Sequence, residues 1–197
     1  VTGVQTCALP ISDALRKWLT VPVGINEHRL IVDVRMNDHS WQRKHFLTLK
    51  MAYNRAPHFK RYEEFLRHVY LERQWEYLFE LNRFLIEHIS RDFLHIKTIF
   101  SDSRDYPTHG AKHEKLLSLV KAARADLYLS GPAAKDYIIA EDYARAGIDL
   151  VWKDYSGYPE YPQRGEHFNH FVSILDLLFN VGDDAPYFIW GWRDHQH

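Results

Sequence analysis

HIKTIF (95–100), AKHEKLLSLVKAARA (111–125), DLYLSG (126–131) and IDLVWKDY (148–155) follow one another along the chain. The first, third and fourth are short apolar runs bounded by polar residues, and they read as strands. The second places its apolar residues at helical spacing, and another helical stretch over 133–146 is ended by Gly147. Alternation of this kind predicts parallel strands joined by right-handed crossovers. The expected fold class is therefore α/β: three layers, with a mostly parallel sheet and helices on both faces.

Outward from this stretch the reading continues in both directions. Upstream, WLTVPV (18–23) reads as a strand interrupted by Pro22, and LIVDVRM (30–36) as a second, with Gly24–Asn26 turning between them. Asn37-Asp38 is an N-cap pair for a helix in which Trp41, His45, Leu49 and Ala52 recur on one side. Ala56-Pro57 stops it, because the residue before proline resists the α region. A second helix is expected over 59–71, and a third over 75–93 with Leu78, Phe79, Leu85, Ile86 and Ile89 in one stripe. Downstream, the loop YSGYPEYPQRGEHF (155–168) precedes a helix near 173–180. Neither a repeat nor a linker interrupts residues 13–197, which read as one domain.

The 197 residues suit one core. With 25 basic and 26 acidic side chains there is no electrostatic case for nucleic acid. No apolar run reaches the ~20 residues that span a bilayer. One cysteine, Cys7, excludes an intramolecular disulfide, and the expected location is the cytoplasm.

Ligands of parallel sheets gather at the carboxyl ends of strands. One such end is Ser130-Gly131-Pro132, where exposed N–H groups and a hydroxyl would cradle an anion, or where Ser130 simply caps a helix. The other is the loop holding Tyr155, Tyr158, Tyr161 and Gln163, whose rings would form a platform for a sugar and whose amide would orient a hydroxyl. No GxGxxG or Walker pattern exists, and no cofactor is expected. His109 and His113, four apart beside Glu114, raise a metal reading, as does the near pair His167 and His170; both lack a third ligand, and no metal is expected. Ser173 would N-cap the last long helix. Asp176 and Asn180 lie i, i+4 within apolar ILDLLFN, where polar groups on a buried face need partners. His45 falls on the apolar side of its own helix, as a core histidine or a general base.

Trp41, Lys44, His45, Tyr53, Pro57 and Phe59, then LYLSGPAAKDY (127–137), GIDLVWKDY (147–155), YPEYPQ (158–163) and SILDLLFNVG (173–182), resemble the WbqC-like proteins in order and spacing. The likeness runs from Trp18 to Gly182. It implies a bacterial protein of surface-polysaccharide gene clusters, O-antigen included, that transfers an acyl or aminoacyl group onto an amino sugar. The implied partners are a sugar or sugar nucleotide and a carrier-bound acyl donor. His45 or Asp176 would carry the proton, and Ser130, Gly131, Tyr137, Tyr158, Tyr161, Gln163, Ser173 and Asn180 would bind substrate. A non-catalytic sugar-binding or assembly component is the alternative. Asp176→Asn is expected to abolish activity in a complete homologue and leave the melting temperature nearly intact. The family opens with a strand and a His-Gln-Pro motif. Here VTGVQTCALPI (1–11) stands instead, identified as translated sequencing adapter with Ser12 as junction. The native chain is thus expected from Asp13, without its N-terminal strand region, with Cys7 outside any chemistry and with an unpaired sheet edge.

Overall fold

A computed structural model describes residues 3–12, 15–24, 30–165 and 167–195, with the side chains of those from residue 18 to residue 193. The chain forms two compact units, one of residues 1–97 with 159–197 and the other of residues 98–158. Both helices and strands are present, including a parallel pair, as the α/β reading requires.

In the first unit β1 (Gly3–Ser12) pairs antiparallel with β2 (Leu15–Pro22), Gly3 opposite Pro22 and Ser12 opposite Leu15. The strand expected from 18–23 is the second half of β2 and ends at Pro22, which has no N–H to continue a ladder. Of the turn expected at 24–26, residues 25 and 26 lie outside the described residues. The second strand expected over 30–36 is not formed. Residues 31–33 make a 3-10 turn, and Arg35 makes a single bridge with Tyr77. Alternation survives there, since Val34 and Met36 are buried around an exposed Arg35, but only two flanking bonds form, Met36 N–H to Glu76 O and Leu78 N–H to Val34 O.

The N-cap of helix α1 (Ser40–Tyr53) is His39, without a side-chain cap bond, rather than a residue of the expected Asn-Asp pair; Asp38, one residue earlier, accepts the Ser40 N–H at 2.8 Å. Its buried stripe is Trp41, His45, Leu49 and Tyr53; the expected Ala52 is only half-buried. Helix α2 (Phe59–Arg67) runs into a π turn, His68–Glu72. That turn leaves carbonyls without helical partners. The buried Gln42 amide donates to Val69 O and Arg73 O, and the Trp75 indole donates to Val69 O at 2.8 Å. Helix α3 (Leu78–His88) ends in a second π turn, Ile89–Phe93. Of its expected stripe only Leu78 is fully buried, joined by Leu81, whereas Ile86 is largely exposed.

In the second unit α4 (Lys112–Ala122), β3 (Leu127–Ser130), α5 (Ala140–Arg145) and β4 (Asp149–Trp152) pack around Val120, Ala134, Ile138, Tyr143 and Ile148. Strands β3 and β4 are parallel, Leu127 opposite Asp149. HIKTIF is not a third strand: residues 95–100 are irregular, His95 has φ 55°, and Ile99 is 89% exposed. A sequence run of β-forming residues makes a strand only where a neighbour pairs with it. Tyr128, Leu150 and Trp152 pack on this core, while Leu127, Leu129 and Val151 on the opposite face are exposed.

The first unit closes with α6 (Ile174–Val181), whose Leu178 and Phe179 are fully buried, and α7 (Ala185–Ile189). Gly182 ends α6 at φ 61°, ψ −125°, a conformation open to glycine, and a Cβ there would lie 2.5 Å from His58 Nδ1. Gly147 also has positive φ, 72°, but nothing within 4 Å of a built Cβ. Gly182→Ala is therefore expected to cost about 2–3 kcal/mol and Gly147→Ala about 1 kcal/mol. Urea unfolding of both variants checks the order; equal losses would remove the steric part of the account.

Candidate functional site

Helix α6 begins with Ser173, whose hydroxyl accepts the Leu175 N–H at 3.2 Å, the cap expected from its sequence. One residue past that cap bond, Asp176 is turned inward and is 1% exposed. Three donors surround it. Tyr53 from α1 donates to Oδ1 at 2.8 Å, and Tyr161 and Gln163 each donate to Oδ2 at 2.8 Å. The Gln163 amide also donates to Asn169 O at 3.0 Å and accepts the Asn169 N–H at 2.9 Å, closing the 163–169 loop on itself. Asn180 reaches back to the Asp176 carbonyl at 2.8 Å. A buried carboxylate is tolerable only when hydrogen-bonded in this way. Burial, then the negative charge of Asp176 and its hydrogen bond, push the Tyr161 phenol pKa far up, so this group stays a donor.

The geometry thus brings together Asp176, Tyr161, Gln163 and Asn180 of the sequence-derived candidates. Two members were not anticipated in this role. Tyr53 sits on the buried face of α1, where a phenol needs a partner, and that was the available signal. Asn169 acts through its backbone, for which a sequence carries no signal.

Near the start of α6, Ser173, Ile174 and Leu175 line a cavity of about 550 Å³ together with Trp41, Tyr70, Leu81, Asn82 and other apolar residues of α2 and α3. His45 stands beside Trp41 and Tyr70, ring centroids 4.9 and 5.9 Å away, and its Nε2 donates to the Thr20 carbonyl at 3.2 Å. That bond ties α1 to β2.

The remaining candidates belong to the second unit. Ser130 is buried at the end of β3, and Gly131 rather than Ser130 is the N-cap of the next element. This element is a five-residue 3-10 turn, Pro132–Asp136, not the expected long helix. Pro132 supplies no N–H, so the turn offers an anion fewer donors than the sequence suggested. Tyr137 is half exposed, and the Lys153 ammonium lies 5.8 Å from the Tyr158 ring centroid.

His109 and His113 do not share a helical face, because α4 starts only at Lys112. Both nitrogens of His113 are engaged. Nε2 donates to Asp142 at 2.8 Å, and Nδ1 accepts the Ile139 N–H at 3.3 Å. The metal reading of that pair is thereby corrected: a ligating nitrogen must have a free lone pair. Among the described residues no three His, Cys, Asp or Glu side chains gather as ligands.

The hydrogen bond from His113, then Arg145, holds the Asp142 carboxyl below its ordinary 3.8. A carboxyl lowered on folding contributes stability above its unfolded pKa of about 3.9, and this is lost as pH falls through the lower folded value. Unfolding midpoints should therefore fall more steeply below pH 4 in the wild type than in Asp142→Asn. Parallel acid limbs would contradict the assignment.

No solved structure matches the chain. It is 38% identical over 172 residues to the uncharacterized protein Rv1507c of Mycobacterium tuberculosis, covering 86% of this chain and 74% of that protein. No helix among the described residues is long and apolar enough to cross a membrane. The family model of WbqC-like proteins matches residues 11–187, which takes in Tyr53, Tyr161, Gln163 and Asp176, and the chain belongs to the WbqC-like protein family.

Proposed function

We propose that this chain is a cytoplasmic transferase-type enzyme of bacterial surface-glycan biosynthesis that moves an acyl or aminoacyl group onto an amino sugar. The observation that carries the reading is the buried Asp176 carboxylate beneath the Tyr161–Gln163 loop. A sugar site needs aromatic and amide groups held rigidly from behind, and this carboxylate holds both. In the reaction the sugar amine forms an amide bond to the acyl carbon while the acyl–carrier bond breaks. The proton lost by nitrogen ends on the departing carrier. Asp176 is a positioning residue here, since both its oxygens are occupied. His45, with Nε2 committed to Thr20, would carry protons on Nδ1. Ser173 and Asn180 are the further substrate contacts of the first unit in this reading, and Ser130, Gly131, Tyr137 and Tyr158 are those that the second unit would offer by itself.

Incubation with a nucleotide-linked amino sugar and acyl or aminoacyl thioesters, read by mass spectrometry, tests it. A gain of one acyl group, lost in Gln163→Ala, is the expected result. Absence of a gain with every donor contradicts it. The second reading, a sugar-binding component without chemistry, is favoured by one observation: among the described residues no His, Asp, Glu, Lys or Cys lines the 550 Å³ cavity. Calorimetric binding of the nucleotide-linked sugar without any mass gain would select it.

A further inference from the structure

The second unit holds a cavity of about 900 Å³ that the Asp176 cluster does not use. It is lined by Ser103, Arg104, Tyr106, Thr108, Lys112 and Lys115, with Leu116, Leu119 and Tyr137 completing its wall. No acidic side chain is among these residues. Their charges are not equivalent. Arg104 is held fork-on-fork by Asp102, at 2.9 and 2.7 Å, so its charge is largely answered. Lys112 and Lys115 have no ion pair among the described residues. Both are exposed on the first turn of α4, and Lys112 is kept at φ 46°, an uncommon conformation for a side-chain-bearing residue. Two net positive charges in a concave wall attract an anion, and an anion with two or more negative charges satisfies both.

The rest of the wall limits the kind of anion. Tyr106 is half-buried and Tyr137 is 47% exposed, so each presents ring area to a planar group. Ser103 and Thr108 add hydroxyls that both donate and accept, as ribose recognition requires. The volume lies within the roughly 300–1,000 Å³ of small-molecule sites and exceeds what a free phosphate fills. We infer that this cavity seats a pyrophosphate-linked nucleoside, with Lys112 and Lys115 on the phosphate oxygens and a tyrosine ring against the base. A sugar nucleotide and coenzyme A both carry that chemistry. Which one enters rests on the transferase reading above; the nucleoside pyrophosphate itself does not.

The test is calorimetric titration of the full chain with UDP-N-acetylglucosamine, coenzyme A, inorganic pyrophosphate and free N-acetylglucosamine. Binding of at least one of the two nucleotides is expected, weakened about tenfold or more at low salt in Lys112→Ala/Lys115→Ala, with the difference shrinking at 1 M salt. Tyr137→Ala should weaken the nucleotide several-fold and leave pyrophosphate unchanged. Far-ultraviolet dichroism verifies folding of the variants, whose changes are at exposed positions. Failure of both nucleotides to bind, or equal affinity in the folded lysine variant, overturns the inference. Acyl transfer alongside either failure would leave the proposed function standing, whereas lysine-dependent binding without transfer would sustain the inference and remove the transferase.

Discussion

Asp176→Ala is expected to lower the unfolding free energy by about 3–5 kcal/mol, or roughly 6–20 °C in Tm for a chain of this size. The change removes the acceptor shared by the buried Tyr53 phenol, the part-buried Tyr161 phenol and the Gln163 amide, of which Gln163 keeps its bond to Asn169 O. Each donor left without an acceptor costs about 1–3 kcal/mol, and part of this is recovered where the 163–169 loop loosens to admit water. Asp176→Asn should behave differently. Its carbonyl oxygen can stand where Oδ2 stands and keep Tyr161 and Gln163, while its amide donates to a rotated Tyr53 hydroxyl. A cost of about 1 kcal/mol is expected, which agrees with the sequence-based expectation that this variant keeps its melting temperature. Thermal unfolding of the two variants decides. An alanine variant as stable as the asparagine variant would mean that the three donors do not depend on the carboxylate.

Trp75→Ala is expected to cost about 3–5 kcal/mol, as for other fully buried aromatics. Trp75 is 0% exposed, packs against Phe84 with centroids 5.1 Å apart, and carries the Arg73 guanidinium 4.0 Å over its ring. Its indole N–H also closes the π turn through Val69 O. Trp75→Phe keeps a ring in the site and leaves Val69 O with Gln42, so about 1–2 kcal/mol is expected from the lost bond and the smaller volume. Urea midpoints of the pair measure the split. If phenylalanine is as damaging as alanine, the indole N–H rather than the packed ring carries the stability.

Legibility of the fold followed the length of each signal. Helix α1 was readable from its apolar spacing, with Asp38 accepting the Ser40 N–H beside its start, and helix α6 from its apolar run and its cap, Ser173. The β3–β4 pair was readable from two runs flanking a helical segment. HIKTIF and LIVDVRM carried strand-forming residues as well, yet pairing partners are a tertiary property, and neither became a strand. The π turns after α2 and α3 leave no mark in the residues themselves; Gln42, buried 27 positions away from Val69, satisfies the first of them together with the Trp75 indole. For the candidate site, Asp176 betrayed itself as a lone acid in an apolar run, and Tyr161 and Gln163 as part of a stiff aromatic loop. Their junction with Tyr53, 123 residues from Asp176, could only come from the folded chain. The wall of Lys112, Lys115, Tyr106 and Tyr137 was invisible for the same reason, because its members are spread over an irregular stretch, a helix and a turn.

Saturation-transfer NMR of a nucleotide-linked amino sugar, with the full wild-type chain and with Gln163→Ala, tests most directly whether the Asp176-anchored loop holds the sugar. Saturation of the sugar-ring protons in the wild type, lost in a folded Gln163→Ala variant, is the predicted result. Equal saturation in both proteins, or none in the wild type, would contradict it.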